Sequence, residues 1–189
     1  AAQHALKSSG WAHLAVGERA SRLVRLADLI DEFGEQLAQL ESLDTGKPIS
    51  ETLNGDVPRA ARNFRFFAEF AKEQVESTVT DESGAQHYYK RMPLGVVGLI
   101  TPWNLPLYLE SWKIAPALVQ GNAVILKPAE LTPMTAIALA KLTLKAGIPP
   151  GIFNVVHGLG PGSAGEALVT HPAIKAISFT GETHTGTAI

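Results

Sequence analysis

Cysteine is missing from all 189 residues, which excludes disulfides and thiolate metal sites. Charge of a single sign is scarce as well: 16 Lys and Arg stand against 18 Asp and Glu, a formal net charge of -2. So small an imbalance gives no general field for nucleic acid, and no block of like charges makes up for it. Long apolar runs are also wanting. The longest are strand-sized and broken by Pro, Gly or charge, so nothing in the sequence reads as a membrane span. The first ten residues, AAQHALKSSG, carry no apolar h-region, and the expected location is cytoplasmic. Histidines stand at positions 4, 13, 87, 157, 171 and 184 in no ligand spacing, which leaves no metal site to propose. What is present, 46% hydrophobic and 18% charged residues, is the composition of a globular chain with one large core or two small ones.

The stretch from Leu94 to Glu130 organises the rest. An apolar strand, Leu94 to Ile100, leads through a polar turn at Thr101 to Asn104 into an apolar helix over 106–120 and a second strand over 122–127 that ends in Lys127. Strands at 152–156 and 174–179, with helices at 132–146 and 163–170, repeat that rhythm. Thr132-Pro133 opens the second helix and Gly147 closes it, while Pro116 is expected to kink the first. Strands of continuous Val, Ile and Leu imply burial on both faces. The fold class is therefore α/β, with a parallel, doubly wound, Rossmann-like sheet. In such sheets ligands bind outside the carboxyl ends of the strands, which places Trp103, Asn104, Lys127 and Glu130 at a site, with a nucleotide as the expected occupant.

Ahead of this sheet the pattern is helical. Leu23, Leu26, Ile30, Phe33, Leu37 and Leu40 recur in steps of three and four between Glu18 and Leu43, predicting one helix of about seven turns. Gly46 suits a left-handed cap and Pro48 cannot continue. A short helical turn follows at Ser50 to Leu53, ending at Asn54-Gly55. Asp56 then reads as the cap of a helix with Pro58 in its first turn, running to about Gln74. On that helix Arg59, Arg62 and Arg65 fall three apart, as on a solvated, salt-bridging face; alternatively Arg59, in the first turn, holds a carboxylate together with free amides. Residues 77–91 read as a hairpin around Asp81-Glu82-Ser83-Gly84. Three parts result: an N-terminal helical part over 1–76, the hairpin over 77–93, and the sheet domain over 94–189.

The chemistry gathers at the strand ends. Asn104 offers a carboxamide that either donates to a developing alkoxide or caps the helix beginning at Pro106. Lys127 and Glu130 either bind a ribose diol, the carboxylate accepting and the lysine donating, or form a surface ion pair. His157 to Ser163 is a glycine-rich turn without the G-x-G-x-x-G spacing, a weak sign taken alone. Phe179 to Thr183 ends a strand and opens a helix whose amides suit a pyrophosphate, though Glu182 repels one unless it is turned away.

Through TPWNLP, LKPAE and SFTGE, in this order, the chain resembles the NAD(P)-dependent aldehyde dehydrogenases. Through NFRFFAEF and WNLPLYLESWKIAPAL it is similar to their 2-hydroxymuconic and 2-aminomuconic semialdehyde dehydrogenases. The resemblance implies the aldehyde dehydrogenase fold and an oxidation of a carboxylated or unsaturated semialdehyde to the acid with NAD. It implies Asn104 in the oxyanion hole and a cofactor lined by Ile100, Thr101, Pro102 and Trp103. Lys127 and Glu130 are then on the ribose, Glu130 disfavouring the 2′-phosphate of NADP; Gly160 and Pro161 are near the adenine, with Gly181 and Glu182 at the pyrophosphate or ribose. Arg59 is implied to hold the substrate carboxylate. The hairpin is implied to join subunits into a homodimer or homotetramer. The family attacks with a cysteine thiolate and uses a glutamate base in a Glu-Leu-Gly-Gly segment, and neither is present here. The chain is therefore expected to be an internal piece, inactive alone, of less than half the parent enzyme. A non-catalytic NAD-binding or subunit-interaction module and a coenzyme-A-acylating semialdehyde dehydrogenase stand as alternatives.

Overall fold

The computed structural model describes residues 1–74 and 77–189; the domain junction expected at residue 76 lies outside the described residues. The helical part begins with α1 (Ala2–Ser8), α2 (Val16–Glu32) and α3 (Gly34–Thr45). The single long helix expected from Glu18 to Leu43 is thus two. The chain leaves helical geometry at Phe33 (φ -98°, ψ 22°), where Gly34 costs a helix most and resists a bend least. The break lets each half bury its own stripe: Leu23, Leu26 and Ile30 in α2, Leu37 and Ala38 in α3. Phe33 itself turns under Lys145, whose ammonium lies 4.4 Å from the ring centre. Gly46 ends α3 in the left-handed conformation expected of it, at φ 75°.

A second correction follows at once. The turn α4 (Ile49–Glu51) runs through a π-helical segment, Thr52–Asp56, straight into α5 (Val57–Glu73). Asp56 therefore has helical angles, makes no capping bond and instead pairs its carboxylate with Lys47. Asn54-Gly55, expected to end the turn, lies inside the continuous segment. A wide π turn absorbs residues that a sequence pattern reads as a break.

The hairpin forms as expected: β1 (Ser77–Thr80) pairs antiparallel with β2 (Gln86–Tyr89), Ser77 opposite Tyr89 and Thr80 opposite Gln86. Asp81 holds its turn, accepting from the hydroxyl of Ser83, the His87 ring and the Ala85 amide. These bonds, Ser83 first, bring its carboxyl down to about 2. Every residue of both strands is exposed.

The sheet domain alternates as the apolar runs dictate: β3 (Val96–Ile100), α6 (Pro106–Val119), β4 (Ala123–Lys127), α7 (Met134–Lys145), β5 (Phe153–Val155), α8 (Ala164–Thr170), β6 (Ile174–Phe179) and α9 (Thr183–Ala188). Pro116 lies within α6, which continues to Val119. The four strands are parallel in the order β5-β4-β3-β6. Val97 and Leu99 face α6, while Gly98 leaves room for Leu168 of α8 on the other side. The core joins this sheet to the N-terminal helices through Trp11, Leu26, Phe64, Leu107, Ile114, Leu118 and Leu126. Among the described residues no helix is long and apolar enough to cross a membrane.

Candidate active site

Because the strands run in one direction, their carboxyl ends share one edge, and the register aligns them closely. Ile100 is opposite Lys127 on one side and Phe179 on the other. One residue further on, the backbone binds the loops together. The Thr101 amide donates to Lys127 O at 3.3 Å, the Thr180 amide to Ile100 O at 3.1 Å and the Val156 amide to Leu126 O at 2.9 Å. Strand order reverses between β3 and β6, since β3 connects onward to β4 and β5 on one side and β6 returns on the other. A crevice at such a reversal is where open α/β sheets take ligands.

At that edge β3 leads into Thr101 to Asn104. Trp103 is 58% exposed and the Asn104 side chain, also exposed, makes no hydrogen bond among the described residues. Capping does not occupy it: the residue before α6 is Leu105, and Asn104 makes no capping bond there. Its carboxamide is free to donate.

From β4 the chain delivers Lys127, whose side chain is only 6% exposed, and Glu130, at 48%. The ammonium donates to Pro128 O at 3.1 Å and to Glu130 Oε2 at 3.3 Å. With its lysine sunk in the sheet edge, this is no pair of freely solvated side chains. Glu130 is held below the usual carboxylate range by its own backbone amide first and then by Lys127.

The β5 loop carries Gly160 and Pro161. It closes on α8 through two glycines: a Cβ on Gly165 would stand 2.8 Å from the Gly160 Cα. The Gly165 amide bonds Leu159 O and the Glu166 amide bonds Gly160 O. From β6 come Gly181, where a Cβ would meet the Phe179 ring at 2.5 Å, and Glu182, exposed at the start of α9 with no capping bond.

Arg59 is elsewhere than expected in one respect. Because α5 continues from the π turn, the free amides invoked beside it are not available. Its guanidinium instead lies over the Tyr108 ring, 5.4 Å from the centre. Tyr108 is one helical turn beyond Asn104, so Arg59 flanks the same end of α6. Among the described residues Arg65 alone of the three arginines forms the ion pairs of a solvated face, with Asp28 and Asp31 at 2.7 Å each.

Three charged side chains here escaped the sequence reading. Lys113 on α6 is nearly buried, donates to Ser178 of β6 at 3.0 Å, and is lowered from its ordinary value by burial. Glu110, on the same helix, and Glu41, on α3, are wholly buried. The available sign was a charge inside an apolar helix, as in LESWKIAPAL.

The model of the aldehyde dehydrogenase family matches residues 1–189. The chain is 49% identical to the 2-hydroxymuconic semialdehyde dehydrogenase of Pseudomonas sp. (strain CF600), over 100% of this chain and 40% of that protein. It is 50% identical to the human 2-aminomuconic semialdehyde dehydrogenase, over 95% of this chain and 37% of that one. The NAD+ complex of an aldehyde dehydrogenase from Bacillus cereus superposes with a TM-score of 0.94 at 43% identity, covering 99% of this chain and 38% of that one. The chain thus spans about 40% of the length of the curated relatives it matches. With the parallel sheet wound on both faces and the match along the whole sequence in agreement, the chain belongs to the aldehyde dehydrogenase family.

Proposed function

We propose that this chain is the cofactor-binding part of an NAD-dependent dehydrogenase that oxidises a carboxylated or unsaturated semialdehyde to the acid. The observation that carries the reading is the unengaged Asn104 carboxamide at the same sheet edge as the buried Lys127 and its exposed partner Glu130. Addition of a nucleophile to the aldehyde carbon turns its oxygen into an alkoxide, which needs a donor already in place. Asn104 is that donor. The nucleophile and the base that activates water come from outside these 189 residues, which hold no cysteine.

The residues present fit NAD. Lys127 and Glu130 would hold the ribose hydroxyls, and the charge of Glu130 would repel a 2′-phosphate. Gly160 and Pro161, in the loop that packs closely on Gly165, would line the adenine. Gly181 would offer its backbone to the pyrophosphate and Glu182 its carboxylate to the ribose, and Ile100, Thr101, Pro102 and Trp103 would complete the lining. When bound, NAD supplies the hydride acceptor. The substrate class is supported by the two semialdehyde dehydrogenase relatives and by Arg59, fixed over Tyr108 next to the Asn104 turn, where it meets a substrate carboxylate.

The test is Asn104→Ala in the full-length enzyme. The expected result is a kcat lower by roughly 100-fold or more with NAD affinity unchanged; a loss of only a few-fold removes Asn104 from the reaction. Arg59→Ala should raise KM for a carboxylated aldehyde and leave that for an uncharged aldehyde of equal length unchanged.

A further inference from the structure

We propose that Glu41 and Glu110 are positioning residues for the turn that carries Asn104: two buried carboxyl groups, one on α3 and one on α6, that hold residues 101–107 from below. The inference rests on the proposed role of Asn104.

The first turn of a helix has amides with no partner inside the helix. In α6 the first residue is Pro106, without an N–H, and Leu105 before it has no side-chain acceptor. The next amide, that of Leu107, is buried and donates to Glu41 Oε1 at 3.2 Å. A carboxyl from another helix thus supplies the cap that the local sequence lacks. At the other end of the turn, Thr101 is fixed by its amide to Lys127 O. Its hydroxyl lies beside Glu110, whose two oxygens are buried with no hydrogen bond of ordinary geometry. Glu41 Oε2 and the Thr135 hydroxyl of α7 are likewise buried without one. Asn104 is midway between the two held ends.

Two such groups do not both ionise. Burial first, and then the charge of Glu41, push the Glu110 carboxyl well above its ordinary range. Glu110 is the neutral acid, and its O–H gives the pair a donor with Thr101 beside it. Burial likewise raises Glu41, to about 7, against the Thr135 hydroxyl and the Leu107 amide, which favour its charge. The other charged groups facing the pair are Asp44 on α3, Asp56 before α5, and Lys47, itself paired with Asp56. An ionised Glu41 accepts more strongly from the Leu107 amide and faces the positive end of the α6 dipole. The Asn104 turn is therefore held most firmly above neutral pH.

The experiment compares the full-length enzyme with Glu41→Gln and Glu41→Ala. Gln keeps an oxygen for Leu107 but does not titrate. Expected are KM values within about twofold of wild type, a kcat for Glu41→Ala lower by roughly tenfold or more, and most of it restored in Glu41→Gln. The wild-type to Glu41→Gln ratio of kcat should rise several-fold between about pH 6 and about pH 8. A ratio that does not change with pH overturns the proposal. Infrared difference spectra of wild type against Glu110→Gln at about pH 8 provide an arm free of turnover: a neutral-carboxyl carbonyl band present only in wild type is expected. Its absence overturns the pair. If wild type oxidises no aldehyde, the functional reading fails on that fact alone, while the infrared band still decides whether Glu110 is the neutral acid.

Discussion

Glu130 is a single side chain on which, under the proposed function, cofactor choice turns. Held ionised and half exposed beside a buried lysine, it would, in the binding mode proposed above, present a negative charge where NADP carries its extra phosphate. Glu130→Gln should raise KM for NAD and shrink the ratio of kcat/KM for NAD over NADP by roughly tenfold; steady-state kinetics with both cofactors measures it. Glu41 has a consequence for stability as well. Its folded-state value is raised from 4.5 to about 7, so between those values the folded chain keeps a proton that the unfolded chain has released. Stability from this group is complete below about pH 4.5 and is lost as pH rises to about 7, a difference of about 3 kcal/mol. Urea unfolding at several pH values should show wild type losing stability relative to Glu41→Gln across that window. At this scale the sequence was legible wherever a residue stood at a strand end, as Asn104 and Lys127 do, because strand ends declare themselves by the change from apolar to polar. Glu41, Glu110 and Lys113 were not legible. Their burial depends on which third element meets a helix face, and spacing along one helix does not contain that.

Elements were read well where one apolar run makes one strand, and all four strands of the sheet are in place within two residues. The failures were both at helix junctions. Leu37 and Leu40 continue the stripe of α2 in register, so the break at Phe33 left no gap in the pattern. Asp56 and Pro58 compose a good start signal that a continuous π turn overrides. The β5–α8 junction is the element-scale feature with the sharpest consequence. There the Gly160 backbone occupies the space a Cβ on Gly165 would need, and backbone cannot swing aside as a side-chain tip can. Gly165→Ala should cost about 1–3 kcal/mol in urea unfolding and weaken NAD binding in calorimetry, by displacing Gly160 and Pro161. An unchanged NAD affinity would detach this loop from the cofactor.

The molecule as a whole presents one part with no core of its own. Val79, Tyr88, Tyr89 and Met92 in the hairpin, and Leu94 just after it, are large, apolar or aromatic, and exposed, and we propose that this part meets another chain. Replacing residues 78–89 in the full-length enzyme by a short Gly-Ser link should lower the mass seen in sedimentation; an assembly of unchanged mass would place subunit contact elsewhere. The main-chain bonds from Thr101, Val156 and Thr180 to neighbouring strands have a different implication. They anchor each loop at its root by groups that no amino-acid exchange deletes, proline excepted. A lineage, or an engineer, can therefore rewrite side chains along this rim for a new aldehyde or nucleotide while the surrounding loops keep their footing, so specificity can diverge without the fold being renegotiated.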